Sequence, residues 1–136
     1  MVNNGFSVIN TSGEDLDLKP EVVAQFDGIE FVTALQILEH LINPMSVLQK
    51  LPSDKLIASI PLSLWFAKAY RSKTDEWDRH FHEFEDWQFN WLLEKAGWKI
   101  VDSEKWPIPT KDFGIRPIIR KFVPRIYIVY AERVEF

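Results

Sequence analysis

Two short runs of almost unbroken apolar character constrain this chain most: residues 28–34 (GIEFVTA) and 55–60 (KLIASI). Runs of that length, β-branched and apolar through their centres, fit strands covered on both faces better than surface elements. Three further runs share the bias toward β-branched and aromatic residues: 6–10 (FSVIN), 98–102 (WKIVD) and 125–132 (RIYIVYAE). Helical spacing fills the gaps between them. Apolar residues at 35, 37, 38, 41 and 42 predict a helix over 35–42. Asn43-Pro44 then reads as the cap and first turn of a second helical segment, with apolar residues at 45, 47, 48 and 51. The clearest helix is predicted over 85–96, with Asp86 in its first turn, Lys95 in its last and Gly97 placed as the residue after the C-cap.

The order is strand, strand, helix, strand, helix, strand, then a turn-rich stretch and a last strand. That alternation predicts an α/β fold, a mostly parallel sheet with helices on both faces. The last crossover differs. Residues 103–124 hold four prolines (107, 109, 117 and 124) and only a weak helical pattern over 115–122, which suits a final strand inserted antiparallel.

The 136 residues suffice for one domain, 1–136, with a real core. A net charge of −4 without a Lys/Arg stripe argues against a nucleic-acid partner. Cysteine is absent, which excludes disulfides and thiolate metal sites and fits a cytoplasmic protein. No apolar run approaches the length of a membrane span, and the N-terminus lacks the basic and apolar regions of a signal peptide. Aromatics are heavy at 14%, so either much area is buried per residue or some rings face a ligand.

Residues 26–61, FDGIEFVTALQILEHLINPMSVLQKL followed by LIASIP, resemble the middle of a class I S-adenosylmethionine (SAM)-dependent methyltransferase of the broad type-11 kind. Phe26-Asp27, Glu39-His40, Pro44 and Pro61 stand where that family has its "FD", its "EH", a helix-opening proline and a strand-ending proline. Further on, HFHEFEDWQFNWLLEKAGWKIVD resembles the segment in which a histidine precedes a helix ending "LL..AG". The matching residues there are His80 or His82, Leu92, Leu93, Ala96, Gly97 and Trp98. The likeness runs through about residues 5–134. It implies a partial Rossmann-like sheet with an antiparallel last strand, SAM as cofactor and a small-molecule methyl acceptor. The family's glycine-rich cofactor turn has no counterpart: the five glycines (5, 13, 28, 97 and 114) lie far apart and no G-x-G exists. The expectation is therefore a truncated domain that lacks the family's first strands and binds SAM poorly alone.

The resemblance also implies site residues. Ser12, Gly13 and Glu14 fall where the family contacts adenine, and are otherwise a polar loop with a turn glycine. Ala34 and Leu35 end a strand, where ligands of open α/β sheets sit, and otherwise pack into the next element. Glu39-His40 is the best chemical candidate, because an imidazole can take a proton from an attacking hydroxyl or amine. Methyl transfer is a direct displacement that depends mainly on alignment, so a structural role for His40 stands beside the catalytic one. Trp65, Tyr70, His80 and His82 are the expected acceptor-side residues, the first two within an aromatic lid over 62–78 or an amphipathic helix on the core. His80 and His82, with only Asp78 or Glu83 nearby in sequence, make a poor zinc set, and no metal site is expected. Without the family's first strands, the strand at 28–34 has a bare edge. Either residues 6–10 cover it, or a second copy of the chain does. Two readings compete with the enzyme: a non-catalytic methyltransferase-like module for interaction or structure, and an unrelated ligand-binding α/β domain.

Overall fold

A computed structural model describes residues 5–11, 13–66, 68, 70–108, 119 and 122–134. Four strands form one sheet: β1 (Val32–Leu35), β2 (Lys55–Pro61), β3 (Trp98–Trp106) and β4 (Ile126–Arg133), in the order β1-β2-β4-β3. β1 and β2 are parallel, with Ala34 opposite Ala58. β4 enters antiparallel between β2 and β3, as the proline-rich crossover predicts, with Val129 opposite both Ala58 and Ser103. The helices are α1 (Pro44–Lys50) and α2 (Asp86–Lys95).

The best-predicted elements are those with their own end signals. Asn43 caps α1 by accepting from the Ser46 amide, and Pro44 follows at N1 where its missing N–H costs nothing. α2 opens on a capping box in which Glu85 and Gln88 satisfy one another's backbone amides. It closes at Ala96, and Gly97 takes the left-handed φ of 91° that a C′ residue needs.

The core is one cluster. Leu56, Ala58 and Ile60 of β2 meet Val129 and Ala131 of β4, with Leu48 from α1 and Phe89 and Leu93 from α2 packed over them. α1 and α2 touch each other, so the two described α-helices share one face of the sheet. Phe89 is wholly buried, whereas its neighbours Trp87 and Trp91 lie outward and pack edge to face, as their helical spacing requires. Trp98 is the largest buried side chain. Its indole N–H donates to the Leu48 carbonyl at 3.1 Å, and the Arg133 guanidinium lies 4.4 Å from the ring centre.

Three expectations fail. Residues 6–10 form no strand; Phe6 is 74% exposed, and an isolated strand cannot hold its shape without a partner. The strand predicted at 28–34 shrinks to Val32–Leu35 because Gly28 turns the chain at φ 68°. It lies at the sheet edge with only Ala34 buried, so it is not covered on both faces. The helix predicted over 35–42 is replaced by a single 3-10 turn, Leu38–His40. Gln36 adopts a left-handed φ of 53°, and Pro44 has no N–H to bond the His40 carbonyl, so no helix can run through into α1. A 3-10 turn at Pro20–Gln25 was not foreseen; it packs on α1. β3 extends four residues beyond 102, with a bulge at Val101. The weak helical pattern over 115–122 falls mostly outside the described residues. Among the described residues no helix is long and apolar enough to cross a membrane.

Replacing Trp98 by alanine would remove the central ring of the core and its bond to Leu48. The expected loss is about 3–5 kcal/mol, read from urea unfolding followed by far-ultraviolet circular dichroism.

Candidate functional site

The carboxyl ends of β1 and β2 lie side by side, and the chain leaving each of them builds the site. Beyond β1, the Gln36 amide N–H donates to the Ser59 carbonyl at 3.0 Å and its side chain reaches the Ser59 hydroxyl at 3.3 Å. These bonds hold a left-handed Gln36, a conformation that costs about 1–2 kcal/mol outside glycine. They aim the following turn, with Glu39 and His40, back across the strand ends.

A second segment closes on that turn. The amides of Phe81 and His82 both donate to the Glu39 carbonyl, at 2.8 and 3.2 Å. His40 Nδ1 lies 3.1 Å from the Arg79 carbonyl, and His82 Nε2 lies 3.2 Å from the Ile42 carbonyl. Beyond β2, Leu62 bridges to Phe84, and the Ser63 amide donates to the Phe84 carbonyl. The 36–42 and 79–84 segments are thus laced together by main-chain groups.

This lacing brings Glu39 and His40 against His80. The His40 and His80 rings meet edge to face at 4.7 Å, and Tyr70 lies 4.8 Å from His80 on its other side. Glu39 is 1% exposed. Burial holds its carboxyl above the ordinary range; its own backbone amide, His40 and His80 oppose that shift, and Glu83 adds to it. The Tyr70 hydroxyl donates to Asp78, which pushes its own ionisation up. Its backbone amide donates to Glu83 at 3.1 Å. A small cleft beside β2 is lined by Pro61, Lys68, Tyr70, His80, Glu83 and Arg125, among others.

The predicted site residues therefore divide. Glu39, His40, His80 and Tyr70 come together. His82 is adjacent but stacks on Phe84 and bonds to Ile42, turned away from the cleft. Trp65 is 93% exposed, packs on Phe66 and does not line the cleft. The segment over 62–78 is irregular where described, so the amphipathic helix is not found among those residues. Ala34 is buried in the core while Leu35 opens to solvent at the strand exit. Gly13 and Glu14 lie on an outer loop, where Glu14 pairs with Lys19, and Ser12 lies outside the described residues. That loop continues to Asp17, whose carboxylate accepts from the Ile42 and Asn43 amides at 2.9 and 2.8 Å. Arg125 and Asp17 were missed by sequence reasoning. Arg125 reaches the cleft only because β4 pairs antiparallel with β2, and an aspartate in a polar loop carries no signal of its distant partner.

The fold built by this sheet is shared with solved SAM-dependent methyltransferases. The Burkholderia thailandensis 1,6-didemethyltoxoflavin-N1-methyltransferase, solved with 1,6-didemethyltoxoflavin and S-adenosylhomocysteine, matches 83% of this chain with a TM-score of 0.58 and 19% identity. A candidate methyltransferase from Listeria monocytogenes, S-adenosylmethionine dependent by name, matches 83% with a TM-score of 0.54 and 13% identity. A Haloferax volcanii complex of the Trm112 methyltransferase activator with a candidate methyltransferase matches 82% with a TM-score of 0.58 and 11% identity. The chain spans 48%, 67% and 57% of those chains, about half the length of the first. No protein-family model and no curated protein matches the sequence.

Glu39 also carries a stability consequence. A carboxyl held high in the folded state favours folding most when protonated, and that contribution is lost as pH rises through the raised value. Glu39→Gln keeps the shape without the charge. In chelator-treated buffer its urea midpoint should exceed the parent's by more at neutral pH than in mild acid.

Proposed function

We propose that this chain carries the acceptor side of a SAM-dependent methyltransferase centre that acts on a small molecule. The observation that supports it most is the convergence of Glu39, His40, Tyr70 and His80 at the carboxyl ends of β1 and β2, where ligands of open α/β sheets bind. SAM would supply an electrophilic methyl group on a sulfonium. Tyr70, His80 and Arg125, which line the small cleft, would form one wall of the acceptor site and help to orient the acceptor. His40 faces the Arg79 carbonyl through Nδ1, so its Nε2 is free to take a proton from an acceptor hydroxyl or amine.

The residues present fit only one side of the cofactor. Leu35 at the strand exit suits its methionine end, and Gly13 and Glu14, with Ser12 beside them, suit a loop near its adenine. The glycine-rich turn that lets backbone amides approach it is not in this sequence. Calorimetric titration of the isolated chain with SAM should therefore show no binding in the micromolar range. Micromolar affinity would overturn the one-sided reading.

A second reading is a non-catalytic module, and the outer edge of β1 favours it. Among the described residues β1 pairs only with β2, and residues 6–10 do not cover its other side. An unpaired edge is a template for another strand, and a second copy of this chain would suit it. Sedimentation velocity over a concentration series should show a monomer–dimer equilibrium; a monomer that persists to the highest concentration would remove the self-association.

A further inference from the structure

We infer that Glu39, His40 and His80 form a binding site for a divalent transition-metal ion, with zinc the best fit. This rests on side-chain geometry and does not depend on the methyltransferase reading, although an ion held there would take the His40 Nε2 lone pair that a proton acceptor needs.

Three donor atoms, one from each residue, all lie within 4.8 Å of one another. Among the described residues, two polar atoms in this cluster are buried without a hydrogen-bond partner: Glu39 Oε2, and His80 Nδ1, whose nearest charged neighbour is Glu83. A buried acceptor left unmade costs about 1–3 kcal/mol, and more for a charged group. Both unpartnered atoms belong to residues of this three-residue cluster, and a cation among the three would give their buried polar groups a partner.

The protonation pattern fits. The Arg79 carbonyl can only accept, so His40 Nδ1 carries the proton and, in the neutral ring, Nε2 keeps its lone pair. That Nε2 is the atom 3.8 Å from Glu39 Oε1. A ligating histidine whose other nitrogen donates to a backbone carbonyl is the usual second-shell arrangement of metal sites. Glu83 adds negative charge at 3.4 Å from His80 Nδ1. The 36–42 and 79–84 segments that carry the ligands are bound together by main-chain hydrogen bonds, so the site is held before any ion arrives.

The donor set selects the metal class. Magnesium and calcium take oxygen ligands almost throughout, whereas two imidazoles and one carboxylate suit zinc and its neighbours. Donors around one zinc ion, at about 2.0–2.2 Å each, stand roughly 3–4 Å apart, so small side-chain rotations would close this cluster on the ion. Three protein ligands leave a coordination position for water or an oxygen-bearing ligand from the adjoining cleft. Sequence spacing hid the site because it pairs residues 39 and 40 with residue 80, while the two histidines adjacent in sequence, 80 and 82, part ways.

The test is titration of the chelator-stripped chain with zinc chloride, and with cobalt(II) chloride for its visible spectrum. One equivalent should bind, with a cobalt spectrum of low coordination number, and magnesium chloride should not compete. Glu39→Gln and His80→Gln should each weaken binding at least tenfold, and His82→Gln should leave it unchanged. Glu39→Gln removes a buried charge and is expected to be the more stable fold, so its loss of metal reports a lost ligand and not unfolding. Absence of stoichiometric binding by the parent chain would overturn the site. So would an equal loss in His82→Gln, which would point to scattered surface imidazoles.

Discussion

Leu56, Ala58 and Ile60 have no solvent exposure at all, and the rest of the structure is arranged around that burial. The inner face of β2 can lose all contact with water only if both edges of the strand are paired and that face is roofed by helices. β1 and β4 satisfy the edges, the first parallel and the second antiparallel. α1 and α2, pinned through Leu48, Phe89 and Leu93, supply the roof. The same arrangement decides where chemistry can occur. A parallel β1 and an antiparallel β4 put the exit of β1, the exit of β2 and the entry of β4 at one end of the sheet, which brings Gln36, Leu62 and Arg125 within reach of one another.

At that end a buried carboxylate becomes tolerable. Glu39 lies in a turn whose main-chain carbonyl serves two amides from the 79–84 segment, so its side chain is carried inward with the turn. Once there it meets two imidazoles and raises the local stakes of every polar contact, because low dielectric strengthens both satisfied and unsatisfied interactions. The strain at Gln36 belongs to the same device. A left-handed residue is tolerated because Ser59 holds it on both backbone and side chain, and without that reversal Glu39 and His40 would continue along the sheet edge.

Legibility in the sequence followed how local each determinant was. The helix over 85–96 was readable to within a residue because Asp86, Lys95 and Gly97 mark its ends locally. β2 and β4 were readable from apolar, β-branched runs, and the antiparallel entry of β4 from the prolines before it. The helix over 35–42 was misread because only Leu38 and Leu41 of its five apolar positions are buried, and a 3-10 turn suffices to bury those two once Glu39's carbonyl is taken by distant amides. Residues 6–10 looked like a strand by propensity alone, and propensity does not supply a partner. Of the candidate site, Glu39, His40, Tyr70 and His80 were visible as residue types, but their grouping was not. Trp65 and His82 were as plausible as Tyr70 and His80 until the fold turned the first pair away.

By itself, then, the sequence determined an α/β chain with a capped helix, a mostly apolar central strand and no glycine-rich turn, since all three are properties of neighbouring residues. Only the tertiary structure decided that Glu39 and His40 should meet His80, and that residues 6–10 should not pair with β1. Those depend on strand order and register, which are set by how the whole chain buries β2. Forty residues of separation along the chain carry no information about a gap of a few ångströms across the sheet's end.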